Sequence, residues 1–434
     1  MKTLGQVYQL KETLAEIRSE LTPCFDEVIK SYLGKHVGTR FRNPAYVMEI
    51  TWLTTPLKIF VKRILEGLNT PTVQGTFLIR GFGFGKTHAI ILLWHMLNSE
   101  EGTKSHLAEE IGLKESLSRE TLTLGIDFSK EQPFAQLFDQ IEALARREPD
   151  IWNVKDPKLS QAAIETIGQM SRSDVLSLSS EDLAELIFKI ANRCRKLGGK
   201  PKILLMVDEL GIGIISRLTN YLETQNEEKY HEIERVMNFI EQFYIKLSGK
   251  GLPAFIIVAL AEQDIREIDS IYLQQADKPK IQDKIDGLRK RLSALRERLS
   301  RSAGGLAEET TFSYDPEHAI NIAKHRIFKK LGDEKPEDGF IDYLTLQAQQ
   351  FNLKEVLETY KEQIKSYYPL SPSMMWLFRK ILSPNDVPRT EYVRTALYIV
   401  AEAAEMALRY EPDKALSVGT KHIPLARAGA IDLM

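Results

Sequence analysis

Two cysteines, Cys24 and Cys194, are all that the 434 residues hold, and no C-x-x-C spacing joins them. This argues against a disulfide framework or a cysteine zinc site and fits a reducing compartment. Long hydrophobic runs are missing too. The longest, 89–94 and 254–261, fall far short of the roughly 20 residues that span a bilayer. The N-terminal stretch MKTLGQVYQLKETLAEIRSEL is charged throughout, unlike a secretory signal. Net charge is nearly absent: 58 Lys and Arg face 60 Asp and Glu. No bulk attraction to nucleic acid or membrane follows, so any such binding needs a local patch. No long-period repeat or low-complexity tract appears. The expected location is cytoplasmic, without membrane contact.

What is present is an ordinary globular balance, 43% hydrophobic and 27% charged, over a length that suggests two or three domains. Residues 1–35 read as a helical pair without chemistry. The stretch TTPLKIFVKRILEGL, 54–68, places Leu57, Phe60, Val61, Ile64 and Leu65 on one helical face. The apolar segments 75–80, 121–128, 201–210 and 252–260 read as buried strands, continuous rather than alternating, as in a parallel sheet. Helical stretches separate them, which predicts an α/β domain. From Lys280 a seam of Ile281, Ile285, Leu288, Leu292, Leu295 and Leu299 runs for about three heptads. Beyond the break at 302–305 the pattern is helical, with proline-containing interruptions at 369–372 and 384–388. The expected division is a helical region at 1–69, a core at 70–279, a charged coiled-coil-like helix at 280–304 and a helical domain at 305–434.

The chemistry concentrates in FLIRGFGFGKTHAIILLWHML, 77–97. Gly81, Gly83 and Gly85 alternate ahead of Lys86-Thr87-His88, between a strand and an apolar helix. A phosphate-binding loop (Walker A) needs glycines where the backbone turns or approaches the anion closely. The expected nucleotide contacts run from Gly81 through Phe82, Gly83, Phe84, Gly85, Lys86 and Thr87 to His88. Lys86 would reach the β- and γ-phosphates of ATP, and the Thr87 hydroxyl would ligate Mg2+. Arg80 stands where the usual pattern has its first glycine; Gly81 can make that turn instead. The bland reading is a glycine-rich turn with an exposed lysine. Against it stands Asp208-Glu209, which ends the apolar run Ile203 to Val207 in the manner of a Walker B strand. There Asp208 would hold Mg2+ through water and Glu209 would orient the attacking water. His318 and His325 show no carboxylate pattern typical of zinc.

Together with NPAYVMEITWLTTPLKIFVKRIL, YDPEHAINIAKHRIFKKL (314–331) and SYYPLSPSMMWLFRKIL (366–382), this loop resembles a family of AAA-type ATPases catalogued as domain of unknown function 499. The resemblance covers about 42–410. Family members tend to show G-F-G-G-G-K-T-H, so Phe84 departs from the pattern. The resemblance implies a RecA-like P-loop NTPase core with a parallel sheet, a helical insertion and an all-helical lid. It also implies a polar sensor after the strand at 252–260, Gln263 or Glu262, and a lid arginine, Arg379. Ordinary loop polarity is the alternative for the sensor pair. Members often run longer, which leaves open whether the chain is a fragment of a longer protein. They occur beside DNA methylases and helicases in prokaryotic defence or mobile-element loci, which implies a DNA-linked role. The expected activity is ATP hydrolysis by a switch or motor. The rivals are a nucleic-acid translocase or helicase, and a nucleotide-gated scaffold with negligible turnover. The helix 280–301 carries Lys280, Lys284, Arg289, Lys290, Arg291, Arg296, Arg298 and Arg301 against Asp283, Asp286 and Glu297. Its seam would pack on its own domain, a second copy or a partner coiled coil. Its basic excess would face DNA, act as an arginine finger in a homo-oligomer, or stay solvated.

Overall fold

The computed structural model describes residues 2–79, 85–168, 170–275, 278–302, 316–332, 335–381 and 392–423. The expectations for Arg80, Gly81, Phe82, Gly83 and Phe84, and for the proline-containing interruption at 384–388, lie outside the described residues. Six strands are described: β1 (Tyr8–Leu10), β2 (Val73–Ile79), β3 (Thr121–Asp127), β4 (Lys202–Asp208), β5 (Ala254–Leu260) and β6 (Phe328–Lys330).

Four of them form one parallel sheet in the order β2-β5-β4-β3. Every residue of β3, β4 and β5 is buried, which explains the continuous apolar runs. From β2 the chain crosses to the far edge at β3, then steps back through β4 to β5. Because right-handed crossovers in opposite directions put helices on opposite faces, both faces are covered. The helix Lys86–Asn98 lies on one of them and is buried on all sides from Ala89 to Asn98. The helix Phe25–Tyr32 shares that face. Its Phe25 ring presses so closely on Gly125 that a Cβ there would sit 2.7 Å away.

The exposed edge of β3 is closed by side chains. Gln140 bonds both backbone groups of Gly125, each at 2.8 Å, and Gln136 does the same for Asp127 at 3.0 and 3.2 Å. An edge strand paired this way no longer offers a free ladder to another chain.

The helix Pro279–Ser302 forms as its spacing predicts, but its seam serves its own domain. Ile285, Leu288, Leu292, Leu295 and Leu299 are buried in the core that contains the sheet. Leu299 lies over Gly75 of β2, where a Cβ would approach to 2.6 Å. The expectation of a second copy or partner coiled coil along this seam is therefore corrected: the sheet already buries it. Much of the basic excess is also answered internally. Lys284 pairs with Glu227 at 2.5 Å, Arg289 with Asp269 at 2.7 Å and Arg298 with Glu241 at 2.7 Å.

A second core gathers the helices Pro316–Ile327, Pro336–Gln350, Lys354–Tyr367, Pro372–Ile381 and Tyr392–Tyr410. It also takes Leu4, Val7, Tyr8, Leu14 and Ile17 from the start of the chain. Here the expected boundaries change. The region 1–69 divides, with its first twenty or so residues joining the second core and the segment from Phe25 onward joining the sheet. Nor is the second unit wholly helical, because β1 pairs antiparallel with β6. That ladder joins segments more than 300 residues apart and replaces part of the expected N-terminal helical pair. Among the described residues no helix is long and apolar enough to cross a membrane.

Candidate functional site

Residues that follow the carboxyl ends of β2 and β4, Gly85 to His88 and Glu209, line one cavity, the usual place for a ligand in an open parallel sheet. At the end of β2's connection, Gly85 adopts φ +84°, ψ 18°, a left-handed conformation that glycine takes without strain. The helix then begins at Lys86. Its first-turn N–H groups have no intrahelical acceptor, and Gly85 contributes no side-chain cap. This end of the helix therefore favours an anion.

Lys86 and Thr87 are half-buried at that helix start. Burial pulls the Lys86 ammonium below its usual pKa, while Glu209, Asp208, Asp264 and Glu262 pull it back up. One lysine thus stands among four carboxylates. The Thr87 hydroxyl lies close enough to Asp208 to oppose a rise in that acid's pKa. The rise wins: burial is its largest cause, followed by the charges of Glu209 and Asp127. Asp208 is 1% exposed and its Oδ2 has no hydrogen-bond partner. An orphaned carboxylate oxygen at this depth is costly unless a cation or water answers it.

Glu209 follows at φ +52°, a left-handed conformation that is uncommon for a non-glycine residue. It joins β4 to the helix Leu210–Thr224 and turns into the cavity beside Lys86. Across from it, Asp264 accepts from the Ala261 N–H at 3.1 Å. Its carboxylate sits so near the next helix that a Cβ on Gly211 would come within 2.2 Å of Oδ2. Burial pushes the Asp264 pKa up to about 6, with Lys86 opposing. The neighbouring Gln263 also has a buried amide oxygen, Oε1, without a partner.

Away from the polar end, the cavity is walled by Phe41, Ile50, Trp52 and Leu57 from the core and by Ile322, Val393 and Leu397 from the helical unit. Arg326 and Arg394 also line it. Arg326 is buried and engaged with Glu12 at 3.4 Å, the Glu20 carbonyl and the Tyr46 hydroxyl. Arg394 is half-buried, and its charge lowers the Glu209 pKa.

The donors at Thr87 and Asp208 are hard oxygens, which suit Mg2+. Among the described residues, no three His, Cys, Asp or Glu side chains converge to hold a metal ion. That too fits Mg2+, which keeps several waters and takes few protein ligands. Thr87 and Asp208 would hold it, the orphaned Oδ2 being the observation that favours a cation there.

The structure brings Gly85, Lys86, Thr87, Asp208 and Glu209 together, with Gln263 in the first turn of the helix that follows β5. His88 is placed differently. The Thr51 hydroxyl donates to the Val47 carbonyl at 2.6 Å, so it accepts from His88 Nε2–H at 2.8 Å. Phe41 meets the ring edge-on at 6.0 Å, and burial lowers its pKa to about 4. The imidazole is neutral and held by Thr51, and His88 also lines the cavity beside Thr87. Arg379 is not at this cavity. It pairs with Glu317 at 3.3 Å and lines a separate apolar groove near Tyr367, Met375 and Trp376. The cavity receives Arg394 and Arg326 from the helical unit instead. His325 donates from Nε2 to the Glu49 carbonyl at 2.8 Å, docking that unit on the core.

Four charged residues at the site escape the sequence reading: Asp127, Asp264, Arg326 and Arg394. Asp127 did carry a signal, since TLTLGID ends an apolar strand on an acid just as ILLMVD does. The other three have no local signature. No protein-family model, curated protein or solved structure matches the chain.

Proposed function

We propose that the chain binds and hydrolyses Mg-ATP as an AAA-type, RecA-like P-loop ATPase whose helical unit reports nucleotide state. The observation that carries this reading is the meeting of Lys86-Thr87, at a helix start that follows Gly85, with Asp208-Glu209 at a strand end, near enough for the two acids to act on the Lys86 charge. β5 lies between β2 and β4, so the Gln263 side of the site faces the gap between loop and acids.

The roles follow from charge and reach. The helix N-terminus and Lys86 hold the phosphates, the lysine countering charge that develops on the γ-phosphoryl group. Asp208 and Thr87 would hold Mg2+, which when bound would add positive charge beside the phosphates. Glu209 accepts a hydrogen bond from the attacking water and aligns it. Gln263, with an unsatisfied amide oxygen, orients the same water or the γ-phosphate. Arg394 brings a cation from the helical unit to Glu209's neighbourhood, which favours it over Arg379 as the lid arginine. The apolar wall shared by Trp52, Ile322 and Leu397 suits a base, and occupying it would tie the two units together.

The DNA-linked setting and the cytoplasmic location belong to this proposal through the family resemblance alone. The internal ion pairs of Lys284, Arg289 and Arg298 weigh against the helix 279–302 as a DNA surface. Steady-state phosphate release with and without DNA separates the readings. Basal turnover supports the switch, turnover that requires DNA supports a translocase, and tight ATP binding without turnover supports a scaffold. No ATP binding in any of these conditions would overturn the proposal.

A further inference from the structure

We infer that Asp127, at the end of β3, is a positioning residue for the divalent cation, acting through the cation's water shell. The inference rests on the nucleotide reading for the ion's place between Thr87 and Asp208. Asp127 and Asp208 are register partners, each the last residue of its strand. Neighbouring strands lie about 4.8 Å apart, and paired positions point to the same face. Asp127 is only 2% exposed and is held firmly. Its Oδ1 accepts from the Ser129 N–H at 3.0 Å and from the Ser129 hydroxyl at 2.6 Å. Gln136 clamps its backbone. Its other oxygen, Oδ2, has the Cys24 thiol at 4.0 Å, a long and weak contact.

Three acids, Asp127, Asp208 and Glu209, therefore end two adjacent strands. The independent sign of a cation is the buried Asp208 Oδ2 with no partner. Asp127 lies one strand farther from Thr87 than Asp208 does, and among the described residues no three acids converge closely enough for direct ligation. A water of the ion's shell, donating to Asp127 Oδ2, satisfies both facts. Outer partners of this kind typically change metal affinity by about 10–100-fold.

The test titrates Mn2+, as a spectroscopic substitute for Mg2+, into the full chain and into Asp127→Asn. Free Mn2+ is read by electron paramagnetic resonance, without nucleotide and then with a non-hydrolysable ATP analogue. Asparagine can still accept both Ser129 bonds, so the variant should fold, and circular dichroism checks this. The expected result is Mn2+ binding weakened by at least about fivefold, in keeping with outer-shell effects. The number of waters on Mn2+, from oxygen-17 broadening, should stay the same. Equal Mn2+ affinity in the two proteins would overturn the inference, as would a wild-type chain that binds no Mn2+. A gain of one water in the variant would make Asp127 a direct ligand and overturn the water-mediated role. Should Mn2+ bind and respond to Asp127→Asn while the analogue never binds, the nucleotide reading fails and the cation site stands.

Discussion

Two lysines sit at opposite ends of the helix Lys86–Asn98, and their surroundings differ in kind. Lys155 lies at the carboxyl end, where the dipole favours a cation. It is fully buried, and its ammonium donates to the carbonyls of Leu97 at 2.6 Å, Ser118 at 3.0 Å and Thr121 at 2.7 Å. Three donors meet three acceptors, and the group is complete. Lys86 lies at the amino end, where the dipole opposes it, amid carboxylates that include one orphaned oxygen. The first lysine closes a structure; the second stands in an excess of carboxylate that a divalent cation would offset, as the proposed reading has it. Imbalance of charge, rather than burial or strand position alone, marks the functional end.

The largest effect expected from breaking this contrast falls on binding. Lys86→Ala should weaken ATP by at least about 100-fold, or ~2.8 kcal/mol at 1.4 kcal/mol per decade. Its thermal midpoint should hold or rise, since a cation leaves the wrong end of a dipole. Equilibrium titration beside a melting curve checks both, and unchanged affinity would contradict the site.

Glu209→Gln keeps the size of the side chain but cannot pull on a water proton. ATP should bind as before while phosphate release falls by ~10²-fold or more. Single-turnover kinetics separate the steps; a fall caused by Asp208→Asn alone would reassign the roles.

Lys155→Met should do the reverse of Lys86→Ala. It takes a donor from three buried carbonyls, of which Leu97 keeps the Ser118 hydroxyl and Ser118 keeps the Thr121 N–H, so unfolding by urea should show a loss of about 1–3 kcal/mol. ATP affinity of the folded fraction should be unchanged.

A smaller effect comes from pH. The Asp264 pKa is raised in the folded chain to about 6, above its unfolded value. The stability it contributes is therefore complete below the unfolded pKa of about 3.9 and fades as pH climbs through about 6, by up to ~3 kcal/mol. Without nucleotide or Mg2+, the melting temperature of the wild type should drop more than that of Asp264→Asn between pH 5 and 7.5. Parallel curves would show that Asp264 is not held in its acid form.

Least should follow from the helix 279–302, where Lys284, Arg289, Lys290 and Arg298 are already paired. Arg298→Ala should cost under about 1 kcal/mol, as exposed pairs do. Reversing Arg289, Lys290 and Arg296 to Glu should leave any salt-dependent DNA binding unaltered. A flattened salt dependence would return this face to nucleic acid.

Much of this was legible beforehand because the signals were local. The runs at 121–128, 201–210 and 252–260 became β3, β4 and β5 nearly in place, since strands buried on both faces must be continuously apolar. Gly85-Lys86-Thr87 and Asp208-Glu209 each carry their chemistry in a few consecutive residues. The seam of the helix 279–302 was equally visible, but its partner was not: a heptad pattern says that a face is buried and leaves open against what. β1 with β6 was invisible because three-residue strands have almost no pattern and their pairing spans nearly the whole chain. Arg394 and Arg326 reach the cavity only through the packing of the second core, so the family resemblance pointed to Arg379 instead.

A crystal structure of the chain soaked with Mg2+ and a non-hydrolysable ATP analogue tests the central claim most directly. The account predicts the β- and γ-phosphates against the helix start at Lys86, the cation on the Thr87 hydroxyl and Asp208 facing its water shell. A nucleotide bound elsewhere, or a soaked crystal in which Lys86 still faces only its carboxylates, would contradict it.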